Sequence, residues 1–410
     1  MPLEQRRGVE IMCLLFLYHA LEHPDDGNAS GEKLDLNYQP HRSTTSTSST
    51  ITSSGGGGSG KNERPIGKRY KLIVASNRDE VLDRPTAAMS FWEEGASNIL
   101  AGRDLRAGGT WLGVTRCGKF ASLTNVPSCW DRLFLLAETH VKSTTIASAA
   151  MVIAAAAVPV IGRQTSEVAA ASRSSGLALA MGMLCAGLVT ASVGIAAARR
   201  RATRRSRGEL VTEFLKKGTE ENAEQYCKRL YKERWRYNGF NLVLADSSGA
   251  WVVSNSDAAG VTRLPPGLYG IGNATLDVPY PKLLHGKSRV LDALLRVASD
   301  PRLSEDALVD LLMDALADER FLPPAVNSYG DWPSSLLPAW NRESQRVCIP
   351  PTRMRCLWSK LGYGTRSQTV VLVHKSGRMK VVERNLCGDG QQQADPIRSA
   401  SRNTFEFCDI

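Results

Sequence analysis

One stretch, Lys71–Thr124, constrains the fold of this chain more than any other. It opens on the apolar run Leu72–Ala75, which has the length and content of a buried strand. The run ends in Ser76-Asn77-Arg78-Asp79-Glu80, where three ionisable side chains stand in a row. Charges at the mouth of a buried strand need partners, because an unpaired buried charge is very costly. Arg78 offers a rigid fork of donors, and Asp79 is a candidate to hold it. Further on, Gly108-Gly109 and Gly113 bracket Thr110-Trp111, where glycine permits close backbone approach or positive φ. The segments Trp111–Thr115 and Phe120–Thr124 flank Arg116-Cys117-Gly118-Lys119, which predicts a hairpin.

Charge does not make this a nucleic-acid binder. The chain of 410 residues carries a net +10, but six of its positives are Arg199, Arg200, Arg201, Arg204, Arg205 and Arg207. Without them +4 remains, and no aromatics are interleaved with the arginines to stack bases. The cluster reads as a solvated linker. Nine cysteines, an odd number with no Cys-x-x-Cys pair, fit reduced thiols better than a disulfide scaffold. The spacing of Cys348 and Cys356 lacks a nearby His, and the six histidines are scattered, so no metal site is expected.

Hydrophobic residues make up 42% of the chain, enough for a real core, and two stretches interrupt it. Residues 24–67 form an insertion whose Arg42–Gly60 part is almost wholly Ser, Thr and Gly, a composition expected to be disordered. Gly55–Lys61 imitates a phosphate-binding loop, but Asn62 stands where the metal-holding Ser or Thr belongs and no strand precedes it. Residues 126–205 form the second insertion, Ala-rich with a basic end. Within it Gly176–Ala198 runs 23 residues without a charge. That is long enough to span a bilayer, yet it is built of Ala, Gly and Ser rather than Leu and Ile. An inserted helical hairpin and a membrane contact both remain open readings. Arg6-Arg7 followed by Ile11–Tyr18 is too short, and lacks a small-residue cleavage site, to read as a secretory leader.

The remainder, residues 12–384, reads as a single domain. Cys13–Tyr18 and Tyr70–Ala75 are the two arms of one hairpin parted by the first insertion. Thr219 is a candidate cap for a helix reaching Arg236. Strands follow at Asn238–Asp246, Trp251–Ser254 and Leu268–Ile271, the last running into Gly272-Asn273. Lys287–Ala298 predicts a helix with Val290, Leu291, Leu294 and Leu295 on one face. Ser304 caps a second helix, Glu305–Glu319. Tyr363–Ser367 leads into strand Gln368–His374, which returns as Met379–Glu383. The tail, residues 385–410, is polar and expected to be loose. Hairpins, then two helices, then hairpins predict an α+β layered fold.

The ordered set Asn77-Arg78-Asp79-Glu80, Arg84-Pro85-Thr86, Gly102-Arg103-Asp104, Gly108–Gly113 and Leu123-Thr124-Asn125 resembles the NRDE family, also called the transport and Golgi organization protein 2 family. The resemblance covers roughly 12–23, 70–125 and 206–383 and is densest in the middle block. It implies roles in Golgi organisation, protein secretion and intracellular haem or acyl-lipid trafficking. A small apolar or acyl ligand such as haem or acyl-CoA would then be carried rather than held as a cofactor. It also implies a cytoplasmic protein, associated with the Golgi, the endoplasmic reticulum or mitochondria.

That family is in turn similar to N-terminal-nucleophile (Ntn) hydrolases of the bile-salt hydrolase and penicillin V acylase kind. This second likeness implies an αββα sandwich of two mainly antiparallel sheets. It makes Cys13 the nucleophile, its own α-amine the base, and Arg78 and Asp79 the groups that tune the thiol and orient the amine. Asn125 and Asn273 become oxyanion donors, and Arg366 anchors the transition-state charge. A free amine at Cys13 requires that translation start at Met12 or that the residues before Cys13 be removed. Each residue also has a structural reading: Cys13 as core, Arg78–Asp79 as an ion pair, the asparagines as turn caps, and Arg366 as a tie from the last hairpin to Asp79 or Glu80. Three functions therefore stand side by side: a trafficking factor on a hydrolase-like scaffold, a cysteine amidohydrolase, and a membrane-anchored adaptor.

Overall fold

The computed structural model describes residues 13–20, 66–126, 204–322, 346–350, 362–386 and 400–408, except positions 94, 97, 219, 258, 277 and 279. The chain divides into two compact units, Met1–Val126 with Ser206–Ile410, and Pro127–Arg205. Every element named below belongs to the first. Gly176–Ala198 and residues 24–65 lie outside the described residues. Among the described residues, no helix is long and apolar enough to cross a membrane.

Two sheets form the centre. The first has six strands in the order β10 (Gly267–Ile271), β1 (Leu14–His19), β2 (Tyr70–Val81), β11 (Tyr363–His374), β12 (Arg378–Asn385) and β13 (Ser401–Cys408). The second has seven, in chain order β3 (Thr86–Phe91), β4 (Ile99–Asp104), β5 (Leu112–Thr115), β6 (Phe120–Asn125), β7 (Phe240–Asp246), β8 (Gly249–Ser254) and β9 (Val261–Leu264), with β10 opening the other sheet. Neighbouring strands pair antiparallel throughout both sheets. A single helical turn, α1 (Ile66–Arg69), precedes β2.

The layer order follows from strand alternation. Leu14, Phe16 and Tyr18 of β1 face a core shared with Val290, Leu294, Leu308 and Leu312. Those belong to α4 (Pro281–Ser299) and α5 (Glu305–Leu316). The intervening Leu15 and Leu17 face the opposite way, against Leu112, Val114, Phe120 and Val243 of the second sheet. The far side of that sheet packs Ala121, Leu123, Leu242 and Leu244 against α2 (Gly208–Lys216) and α3 (Ala223–Glu233). The stack is helix, sheet, sheet, helix: the expected αββα sandwich of two antiparallel sheets. Each large side chain buried in these three cores contributes about 1.5–3 kcal/mol, so their sum carries the fold.

Several local expectations need correction. The expected strand Leu72–Ala75 is in fact the twelve-residue β2, and the whole tetrad Asn77–Glu80 lies within it. Pairing with β11 along the whole tetrad, and with β1 as far as Asn77, supplies the hydrogen bonds that let a polar segment stay extended. The cap of α3 is Asn222, in a reciprocal capping box with Gln225; Thr219 lies outside the described residues. Helix α4 begins at Pro281, six residues before the expected start, because proline is pre-organised for the first helical turn. Leu295 is exposed, and the buried face of α4 runs through Lys282, Leu283, Gly286, Val290, Ala293, Leu294 and Val297.

The tail is not loose throughout. Ser401–Cys408 pairs residue for residue with β12, from Asn385↔Ser401 to Arg378↔Cys408. Phe405 and Phe407 pack edge-on against Phe91 of the second sheet, 6.2 and 5.4 Å between centroids. Arg116 lies over Phe91 at 3.9 Å. A polar composition concealed this strand because only alternate residues turn inward. A chain ending before Ser401 is therefore expected to unfold at a lower urea concentration and to self-associate through the bared β12 edge. An unchanged urea midpoint with a monomeric elution profile would show that β13 contributes nothing.

Candidate functional site

The site is built around β2, because that strand places charged side chains alternately on its two faces. Arg78 and Glu80 turn toward the second sheet, while Asn77 and Asp79 turn toward the helices. Arg78 and Asp79 therefore do not pair with each other, contrary to the ion-pair expectation. All four side chains are buried.

On the inter-sheet face the guanidinium carbon of Arg78 sits 3.9 Å from the ring centroid of Trp111, a cation–π stack. Its Nη1 donates to Thr86 Oγ1 at 3.0 Å, and its Nη2 lies 3.8 Å from Glu80 Oε2. Glu80 also faces Arg84 at 3.6 Å, and Arg84 donates to Asp104 at 3.0 and 2.5 Å. Four of the five motif pieces thus contribute to one ion network, with Trp111 as its floor. Gly102 belongs to the same construction, since a Cβ there would lie 2.4 Å from the Trp111 ring. Arg366 joins from β11: its Nη1 donates to the carbonyls of Val81 (3.4 Å) and Arg84, and lies 3.5 Å from Thr86 Oγ1. It therefore braces the β2–β3 connection and is not tied to Asp79 or Glu80. Burial pulls the Arg78 guanidinium down, and Glu80 opposes that pull.

On the helix face Asn77 Nδ2 donates to the carbonyls of Leu316 (2.9 Å) and Val347 (2.8 Å), fixing the end of α5 and the segment 346–350. Asp79 accepts 2.6 Å from Thr365 Oγ1, which itself accepts from the Ile349 amide. The other carboxylate oxygen of Asp79, Oδ2, is buried with no hydrogen-bond partner among the described residues. Burial pushes the Asp79 carboxyl up to about 7, against the attraction of Lys282 and the Thr365 hydrogen bond.

Cys13 immediately precedes β1, beside Asp79, with Sγ 3.9 Å from the Asp79 carbonyl. Burial, then the Asp79 charge, push its thiol up to about 12, while Arg78 opposes them. A peptide-bonded Cys13 is thus a neutral thiol and a poor nucleophile near pH 7. Asn125 and Asn273 meet each other, Asn273 Nδ2 donating to the Asn125 carbonyl at 2.6 Å. They adjoin the Cys13 end because Leu15 pairs with Ile271, two residues before Asn273. Thr124 Oγ1 donates to the Gly272 carbonyl (2.6 Å) and Asn241 Nδ2 to the Ala274 carbonyl (2.6 Å), clamping the loop that carries Asn273 across the two sheets.

All six residues singled out from the sequence thus lie at one end of the sandwich: Cys13, Arg78 and Asp79 together, Arg366 through Thr86, and the two asparagines as a pair one strand away. Sequence reasoning gave no site role to Thr365, Thr86, Asn241 and Lys282, although Thr86 stands in the motif Arg84-Pro85-Thr86. The first three act across strands, whose register no single segment reveals. Lys282 had a signal: it falls on the apolar stripe of α4 at positions 282, 286, 290 and 293.

Two outcomes follow. Gly102→Ala should drive Trp111 off Arg78 and cost about 1–3 kcal/mol in urea unfolding; a neutral result would dissociate Gly102 from the stack. Asp79 binds its proton more tightly folded (about 7) than unfolded (about 4), so its contribution to stability is full below pH 4 and is lost as pH rises through 7. Measured from pH 4 to 8, wild-type stability should fall relative to that of Asp79→Asn, and parallel curves would contradict the assignment.

Comparisons with known proteins agree with this construction. Residues 60–141 and 184–388 match the sequence model of the family Transport and Golgi organisation 2. The break between the matches falls inside the second insertion. A Bos taurus protein, Transport and Golgi organization protein 2 homolog, is 31% identical over 356 residues, 84% of this chain and 95% of that protein. The Homo sapiens homolog of the same name is 30% identical over 335 residues, 79% and 90% of the two chains. The Drosophila melanogaster Transport and Golgi organization protein 2 is 25% identical over 354 residues, 80% and 89%. With most of its length matched, the chain belongs to the Transport and Golgi organisation 2 family.

Proposed function

We propose that this chain serves transport and Golgi organisation, as its relatives' names say of them, through an acyl-ligand site centred on Cys13. We further propose that the site is an N-terminal-nucleophile amide hydrolase centre, active when Cys13 carries a free amine. One observation supports this reading above the others: Asp79, wholly buried beside Cys13, leaves Oδ2 without a donor. An α-amine at Cys13 is a donor of the right kind for that oxygen, and its ordinary pKa lies near neutral. The helix-side position of Asp79 suits orienting the amine, and the inter-sheet position of Arg78 suits stabilising the thiolate.

The chemistry follows from those positions. The amine takes the Sγ proton, and sulfur adds to the amide carbonyl carbon. Negative charge develops on the carbonyl oxygen, to which the side-chain amides of Asn125 and Asn273 donate after a local rotation. The C–N bond breaks, the leaving amine takes the proton from the α-ammonium, and water then hydrolyses the Cys13 thioester with the same amine as base. With a peptide nitrogen at position 13 the thiol stays protonated, and the same site holds an acyl-CoA or haem without cleaving anything. That carrier state is favoured by the thiol's upward shift to about 12.

A chain starting at Cys13 is expected to cleave a fluorogenic long-chain N-acyl amide, with acyl-Cys13 trapped by mass spectrometry. The chain starting at Met1 and the Cys13→Ala variant should fall by about 10³-fold or more, and Arg78→Ala by about 10²-fold. No Cys13 acylation in the shortened chain would end the hydrolase reading. The carrier reading falls if neither haem nor acyl-CoA binds the Met1 chain, or if Arg78→Ala binds them as well as wild type does.

A further inference from the structure

Lys282 is 1% exposed, and lysine is almost never buried so fully without an ionic partner. It stands in the first turn of α4, directly after Pro281. The position of that turn is fixed by two close approaches. Tyr280 packs against Gly272, where a Cβ would lie 1.5 Å from its hydroxyl oxygen; Gly286 packs on Phe16, where a Cβ would lie 2.3 Å from the ring. Since Phe16 pairs with Gly270 and Leu283 covers Gly270, α4 runs along β1 with Lys282 toward the Cys13 end. Lys282 and Gly286 are one turn apart and share the face that meets the sheet.

Among the described residues, Asp79 of β2 and then Cys13, just ahead of β1, are the ionisable groups that raise the Lys282 ammonium. Arg78 and Glu80 act on Cys13 from the inter-sheet face. Cys348 and Thr365 approach Asp79 from the side of β11. On the helix face, then, Lys282 is the cation that bears on both the carboxylate and the thiol.

We propose that Lys282 is a positioning residue of the Cys13 site: the fixed buried cation against which Asp79 and the Cys13 sulfur carry negative charge. This deepens the Cys13-centred reading and rests on it for its function, but its test does not use amide cleavage. In a chain with a free amine at Cys13, the Lys282 charge has a second effect. It repels the α-ammonium and so keeps the amine in the neutral form that acts as base. Burial draws the ammonium of Lys282 down while Asp79 draws it up, and a lysine beside a carboxylate is the arrangement that retains the charge.

The test is the pH dependence of Cys13 alkylation by iodoacetamide in the full chain, read on the Cys13 peptide by mass spectrometry. Lys282→Met should raise the apparent thiol pKa by about one unit, a fall of roughly tenfold in rate at any pH well below it. Lys282→Arg should restore it. Asp79→Asn, which removes the negative neighbour and leaves Lys282, should move the thiol pKa the other way and speed alkylation. A merely structural lysine gives a different pattern: both variants loosen the site, and alkylation changes in the same direction in each. That pattern, or a thiol pKa unmoved by Lys282→Met, overturns the proposal. If Lys282→Met does not fold, Asp79→Asn decides alone, and a rate that is unchanged or slower than wild type overturns it.

Discussion

The structure depends on one constraint: a strand in the centre of the first sheet carries Asn77, Arg78, Asp79 and Glu80 into the interior of a sandwich otherwise held by apolar packing. Burying three ionisable side chains in succession is unfavourable unless each finds its own partner. Strand alternation provides the solution by sending neighbours to opposite faces. Arg78 and Glu80 are met by Arg84, Asp104, Thr86 and Trp111 of the second sheet and its approach. Asn77 and Asp79 are met by the end of α5, by Thr365 and by the Lys282 charge of α4. The second sheet and the helix layer of α4 and α5 are thereby tied to β2 by polar interactions whose geometry is specific, where apolar packing alone would tolerate sliding.

A second set of ties fixes the separation of the sheets at the same end. Thr124 and Asn241, from adjacent strands of one sheet, hold the carbonyls of Gly272 and Ala274 just beyond β10 of the other. Asn273 lies between those two carbonyls and reaches back to Asn125. The loop is therefore gripped on both sides of Asn273.

Much of this was legible in the sequence, for identifiable reasons. Hairpins flanked by Gly-containing turns declared themselves locally, as at Cys117-Gly118 and Ser376-Gly377, where Gly118 and Gly377 adopt φ of 82° and 86°. The motif strings pointed to β2 and its surroundings because charged residues beside an apolar run are rare enough to be informative. What stayed hidden was register. That Thr365 stands opposite Asp79, or Thr124 opposite Asn241, is a property of pairings between segments far apart in sequence. Face was hidden as well: Arg78 and Asp79 read as a pair only while the tetrad was placed beyond the strand. Strand β13 escaped for the opposite reason, since its outward residues are polar and two phenylalanines suffice to seat it.

The state of the Cys13 thiol is what would separate the two proposed activities, carrying an acyl ligand and cleaving one. Burial and the Asp79 charge both oppose a thiolate at Cys13, while the hydrogen bond to the Asp79 carbonyl and the Arg78 charge favour one. The Asp79 carboxyl is itself pushed up to about 7 by the same burial. Retaining an acid, a base and a thiol at one buried end is stable only because their charges offset one another, and it makes the local balance sensitive to a single added charge. Conversion of the residue 13 nitrogen from amide to amine would add a titratable donor next to the unpartnered oxygen of Asp79. The same side chains then stand in a different electrostatic balance, with no movement of the strands that hold them.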